Sequence, residues 1–165
     1  AICPPVELSL ATIGAIAMAC PDAAFEVFAF GRLPLALSGR CYHARLHGLH
    51  KDSCQFTCEQ DADGLVVETL DEQAFLAMNG VQTLSAQVQA VLSPPVELTT
   101  RAIARLRLSP HTCDMVAVTQ IYRALALGEI APQEALVRLD GLDLPGTLVD
   151  GYARGAAGAL AAASA

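Results

Sequence analysis

Apolar residues in the first segment recur at helical spacing, at Leu10, Ile13 and Ala17, after Pro4, Pro5 and Glu7. Proline and an acidic residue at the first turn are helix start signals, and Pro21-Asp22 ends the pattern. Residues 25–30 form a short aromatic and β-branched run closed by Gly31, which predicts a buried strand. Residues 32–63 carry neither period and predict an irregular loop with short helical turns, ended by a turn at Asp63-Gly64. Beyond it the pattern predicts a strand at 65–69, an acidic-started turn at 71–77, and a strand at 80–85 feeding a helix at 86–92. A further strand follows at 105–109, then a helix capped by Asp114 and running through Leu127, and a last helix at 132–139. Strands alternating with helices imply an α/β fold with a mainly parallel sheet. The word Pro-Pro-Val-Glu-Leu stands at both 4–8 and 94–98, before a helix each time, and reads as a reused strand-to-helix turn.

Composition narrows the function classes. A chain of 165 residues buries roughly 70% of its unfolded surface, enough for one domain with a real core. With 53% hydrophobic and 16% charged residues it is not a disordered linker. The net charge of −7 argues against a surface built to neutralise phosphates, although Arg40, Arg45 and Lys51 form a local basic exception. Tryptophan is absent and aromatics are scarce, which disfavours base-stacking platforms. The apolar run at 8–18 is shorter than the about 20 residues that cross a bilayer and lacks a basic leader. No nucleic acid, no transmembrane segment and a cytoplasmic location are therefore expected. Residues 156–165 read as an Ala-rich frayed tail after a domain spanning 1–155. The chain opens on Ala1, two residues before a cysteine at a strand end, and reads as the later part of a longer protein.

The distinctive chemistry is in the cysteines. Of Cys3, Cys20, Cys41, Cys54, Cys58 and Cys113, three lie within one stretch, Cys41-x12-Cys54-x3-Cys58. A reducing compartment disfavours disulfides. Zinc calls for four tetrahedral ligands, commonly from paired Cys-x2–4-Cys units, and only one such unit is present. An iron–sulfur cluster uses thiolates and tolerates irregular spacing, since its ligands come from a wrapped loop. Both metals stay open at this point. A helix from Cys54 to Cys58 would place both sulfurs on one face. Arg40 and Arg45 flank Cys41, where positive charge favours thiolate. His43, His47 and His50 would line up along a helix, as zinc ligands or as a polar face; His111 suits a capping or core role beside Cys113. No Gly-x-Ser-x-Gly elbow, His-Glu-x-x-His helix or phosphate loop is present. A nucleophilic Cys41 would need a positioned base, and no catalytic residue can be nominated.

The segments Phe28-Ala29-Phe30-Gly31-Arg32-Leu33-Pro34 through Ser38-Gly39-Arg40-Cys41-Tyr42-His43, Lys51-Asp52-Ser53-Cys54-Gln55-Phe56-Thr57-Cys58, Asn79-Gly80-Val81-Gln82 and Arg105-Leu106-Arg107-Leu108-Ser109-Pro110 resemble the UbiV-type ubiquinone-biosynthesis family, within the collagenase-like peptidases. The resemblance implies the later part of a TIM-barrel-like α/β fold with an inserted cysteine-rich cluster loop at about 32–63. It also implies a 4Fe-4S cluster on four cysteines, of which three carry over to Cys41, Cys54 and Cys58. The fourth family cysteine belongs to a half that these residues do not include; either the cluster is incomplete here or another thiol substitutes, with Cys3 the leading candidate. A UbiU-like homologous partner, a prenylated phenol quinone precursor as substrate, and oxygen-independent ring hydroxylation with prephenate implicated as oxygen donor complete what the resemblance implies. Arg40, Tyr42 and Arg45 would then surround the cluster. The family's Cys-Asn-Gly-Tyr-like word stands here as Val149-Asp150-Gly151-Tyr152. Alternatives are an RNA-modifying hydroxylase of the same family, a zinc-stabilised non-catalytic interaction module, and a peptidase.

Overall fold

The computed structural model describes residues 1–162. Helix α1 (Leu10–Ala19) begins where the Ser9 hydroxyl accepts the Thr12 amide at 3.2 Å, satisfying one of the unpaired donors of a helix start. It buries Leu10, Ile13 and Ala17 and ends at Cys20, ahead of Pro21. Strand β1 (Phe25–Leu37) then runs straight through Gly31 and Pro34. Gly31 therefore does not close the strand, and the loop expected from residue 32 starts only after Leu37. The reason is a change of neighbours. Up to Phe30, β1 pairs with a following parallel strand; from Phe30 onward it pairs instead with an antiparallel one, and it stays buried as far as Leu33. Proline lacks a ladder donor, and Pro34 sits between two register shifts, where the pairing is already interrupted.

After a lobe holding helix α2 (Tyr42–Leu46) and two 3-10 turns, Lys51–Ser53 and Thr57–Asp61, the chain makes three antiparallel strands: β2 (Leu65–Glu68), β3 (Ala74–Asn79) and β4 (Gln82–Ala90). Two expectations fail here. The acidic turn at 71–77 contracts to the tip around Thr69–Gln73, and β3 takes the rest. The helix expected at 86–92 is the second half of β4. Alanine's helix preference suggested a helix, but Ala86, Val88 and Ala90 alternate onto one buried face of the sheet.

Helix α3 (Pro95–Thr100) leads into β5 (Ile103–Leu108), which lies parallel to β1. Helices α4 (Met115–Ala126) and α5 (Pro132–Asp140) follow, and β6 (Leu148–Val149) pairs with β4. The sheet order is β2-β3-β4-β1-β5. The sheet is mixed, with antiparallel pairs from β1 outward to β2, where alternation had suggested a mainly parallel one. Ile2 adds a parallel bridge to Phe25, so Ile2 and β5 flank the start of β1 in parallel. Asp114 caps α4 by accepting from Val116 and Ala117 at 3.0 and 2.9 Å. Val118, Ile121, Tyr122 and Leu125 form its core face, at the spacing an amphipathic helix requires. They meet Phe30, Val88 and Leu139 in one core. The Tyr122 hydroxyl donates to Ala29 O at 2.9 Å, and its burial drives its pKa far upward. Ala161 pairs with Val149; of the tail assigned to 156–165, residues 163–165 lie outside the described residues. Among the described residues no helix is long and apolar enough to cross a membrane.

Candidate functional site: the cysteine lobe

The turn between β3 and β4 is where the lobe is mounted. Asn79 and Gln82 pair across Gly80-Val81, and Gly80 has φ +62° while Val81 keeps a negative φ, the signature of a type II′ hairpin turn. This turn presents both backbone groups of Gly80 to helix α2. Tyr42 N donates to Gly80 O at 3.1 Å, and Gly80 N donates to His43 Nδ1 at 3.1 Å. Ser38 N donates to Val81 O at 2.8 Å, and Asn79 Nδ2 to Ala62 O at 3.2 Å.

The three cysteines sit on this lobe in different settings. Cys41 is buried and caps α2, its Sγ accepting from Ala44 N at 3.4 Å. Cys58 lies in the second 3-10 turn, half-buried, and a Cβ placed on Gly80 would be 3.9 Å from its Sγ. Cys54 ends the first 3-10 turn and is also half-buried. Between Cys54 and Cys58 the chain is not helical, because Gln55 and Phe56 both adopt left-handed backbone at φ +52° and +53°. The expected helical alignment of these two sulfurs therefore gives way to a strained reversal. Consecutive left-handed residues that are not glycine are uncommon, and such strain concentrates at functional segments. Next to Cys58, the buried Thr57 Oγ1 has no hydrogen-bond partner among the described residues.

The histidines separate. His43 is fully buried, but His47 and His50 are exposed and lie at and beyond the end of α2, so the expected one-sided row does not form. His43 Nε2 faces Asp61 Oδ2 at 3.2 Å. Since Nδ1 already accepts from Gly80, the proton is on Nε2. Both ring nitrogens are thereby committed, and His43 is no base for Cys41. Arg40, Tyr42 and Arg45 are exposed. Cys3 lies at the other end of β1, beside Glu26 and Arg107, which removes it as a fourth ligand to the lobe.

One contact set gave no clear sequence signal. Asp63 Oδ1 meets His111 Nδ1 at 3.1 Å and accepts from Thr112 N at 3.0 Å, while Oδ2 accepts from the Thr112 hydroxyl. His111 Nε2 accepts from Arg32 N at 3.1 Å. Burial raises the Asp63 pKa, but the Thr112 bonds and His111 outweigh it and hold the carboxyl below its usual value. Burial pushes the His111 imidazole below its usual value, against the opposing pull of Asp63. The buried Arg32 guanidinium donates to Ser85 O at 2.9 Å, to Pro145 O at 2.6 Å and to Ala86 O, and among the described residues no carboxylate is bonded to it. Arg32, Asp63, Asn79, Gln82 and His111 border a polar cavity of about 270 Å³.

Residues 1–133 match the sequence profile described as Peptidase family U32. The chain belongs to peptidase family U32. No solved structure matches it. For this U32 member, the cluster implied by the resemblance can be tested against the lobe itself. The donor chemistry fits: three soft thiols share one lobe, two of them flank a strained reversal, and the orphaned Thr57 hydroxyl beside Cys58 lacks an acceptor. The chain alone does not close a coordination sphere. Among the described residues, no group of three or more His, Cys, Asp or Glu side chains converges closely enough to hold a metal ion.

Proposed function

We propose that this U32 chain is the cysteine-lobe portion of a UbiV-type protein, carrying an iron–sulfur cluster for oxygen-independent hydroxylation of a ubiquinone precursor alongside a UbiU-like partner. The observation that carries the reading is the strained Cys54-Gln55-Phe56-Thr57-Cys58 reversal, with its unpartnered Thr57 hydroxyl, set on the same hairpin turn as Cys41. Cys41, Cys54 and Cys58 act as three ligands; the fourth comes from a segment or chain outside this lobe, since clusters of this kind take four thiolates. When bound, such a cluster supplies one-electron chemistry. The parts the chain itself contributes are positional. Helix α2 fixes Cys41, the Gln55–Phe56 reversal brings Cys54 and Cys58 onto the lobe, and Thr57 offers a hydroxyl to a neighbouring sulfur or oxygen. The TIM-barrel-like architecture belongs to the same proposal and draws support from the parallel trio of Ile2, β1 and β5.

The test is anaerobic purification of the protein with its partner, followed by quantitation of iron and acid-labile sulfide and by visible absorption. Iron and sulfide in matching amounts, lost in C41S, C54S and C58S but retained in C20S, are expected. A colourless sample loaded with zinc, or iron that survives all three lobe substitutions, overturns the reading.

A further inference from the structure

His43 and His111 come from distant parts of the chain and perform the same task by opposite means. Each is a buried ring that takes a backbone N–H on one nitrogen and faces an aspartate with the other. His43 accepts Gly80 N–H on Nδ1 and points Nε2 at Asp61; His111 accepts Arg32 N–H on Nε2 and points Nδ1 at Asp63. The two aspartates are separated by a single residue, Ala62, at the end of the turn that carries Cys58. A nitrogen that accepts a backbone N–H leaves the ring proton on the nitrogen facing the carboxylate, so the two tautomers are opposite. The backbone donors they satisfy belong to two different strand segments, the β3–β4 turn and β1. The segment Asp61–Asp63 is thus clasped from two sides.

We propose that His43 and His111 are positioning residues, a pair of imidazoles of opposite tautomer that clasp the Asp61–Asp63 segment to the sheet and so set where the Cys54 and Cys58 thiols stand relative to Cys41. Neither ring touches a reacting group, and the proposal holds whichever metal the thiols take. Asn79 and Thr112 add bonds to Ala62 O and Asp63, whereas Cys54 to Glu59 lies in exposed or half-buried turns without a buried apolar side chain to anchor it.

Two measurements on the metal-free protein test this. In the unmodified chain, imidazole nitrogen-15 resonances are expected to show His43 protonated at Nε2 and His111 at Nδ1, with the Gly80 and Arg32 amides protected from hydrogen exchange. Second, alkylation of individual thiols is followed by mass spectrometry, with exposed Cys3 and Cys20 as internal references. Breaking one buried hydrogen bond shifts a local opening equilibrium by about tenfold. H43A, which removes two such bonds, and D63A, which removes three, should therefore each raise Cys58 labelling at least that much with Cys20 unchanged. H43N, whose amide oxygen can still accept from Gly80, should recover part of the loss. Equal tautomers, or Cys58 labelling that ignores both substitutions, overturns the proposal. If a variant does not fold, the resonances of the unmodified chain decide it.

Discussion

Gly31→Ala is the sharpest probe of how the lobe is joined to the core. Gly31 has φ +120°, a region essentially reserved for glycine, and a Cβ there would lie 2.6 Å from Ser109 Cβ and 3.1 Å from His111 Nε2. Two costs add. Holding alanine in that backbone region costs about 1–3 kcal/mol. Relieving the clash requires moving a backbone-anchored neighbour, an overpacking cost of about 1–3 kcal/mol. Ser109 cannot yield freely, because its N–H is held by Phe30 O at 2.8 Å. The expected destabilisation is roughly 2–6 kcal/mol, a large part of the ~5–15 kcal/mol by which domains are stable. Denaturant melts read by circular dichroism measure it. G39A is the control, since a Cβ at Gly39 meets nothing within 4 Å. Adding S109G should return the steric share of the loss but leave the conformational share. If G31A melts with the unmodified protein, or if S109G restores nothing, the close-approach account of this strand is wrong.

Other outcomes follow from the same contacts. Y122F removes one of two donors to Ala29 O inside the core and should cost about 0.5–1.5 kcal/mol in denaturant melts, because Val91 N still donates to that carbonyl at 2.8 Å. C41S should leave stability intact or slightly higher, since serine is a stronger N-cap than a thiol accepting at 3.4 Å; iron binding should nevertheless be lost, separating ligand from cap. Stability should also fall in acid. His111 has a folded pKa below its ordinary 6.5, so its contribution is complete above that pH and is lost as pH drops toward the folded value. Asp63 adds a second loss only further down, beneath the ordinary carboxylate value of 3.8. Melts of H111Q across this range should lack the first decline and keep the second; an unchanged pH profile would refute the assignment.

The parts of the fold that were legible in the sequence are those governed by local rules. Asp114 and the 118, 121, 122, 125 spacing announce α4, and Pro132 with Glu134 announces α5. What was hidden depends on distant partners. The sequence 86–92 has helical composition, and only its neighbours β1 and β6 make it a strand. Gly31 and Pro34 look like strand terminators until one sees that β5 stops at Leu108 and a bulge absorbs the proline. At the site, grouping Cys41, Cys54 and Cys58 in one stretch was readable, and so was family membership. The left-handed pair Gln55–Phe56 was not, because neither residue favours that backbone. Nor were the aspartate partners of His43 and His111, which lie 18 and 48 residues away along the chain.

The length of β1 has a consequence for how such chains can change over time. One extended segment serves as a wall of the core in its first half and as the stem of the lobe in its second. An inserted or deleted residue between Arg32 and Pro34 would exchange the inward and outward faces of everything up to Leu37, and with it the seating of α2. The exposed stretch around Gly48 and His50 carries no such constraint and can lengthen without disturbing the pairing. Natural length variation should therefore collect in that stretch, while the stem keeps its residue count unaltered.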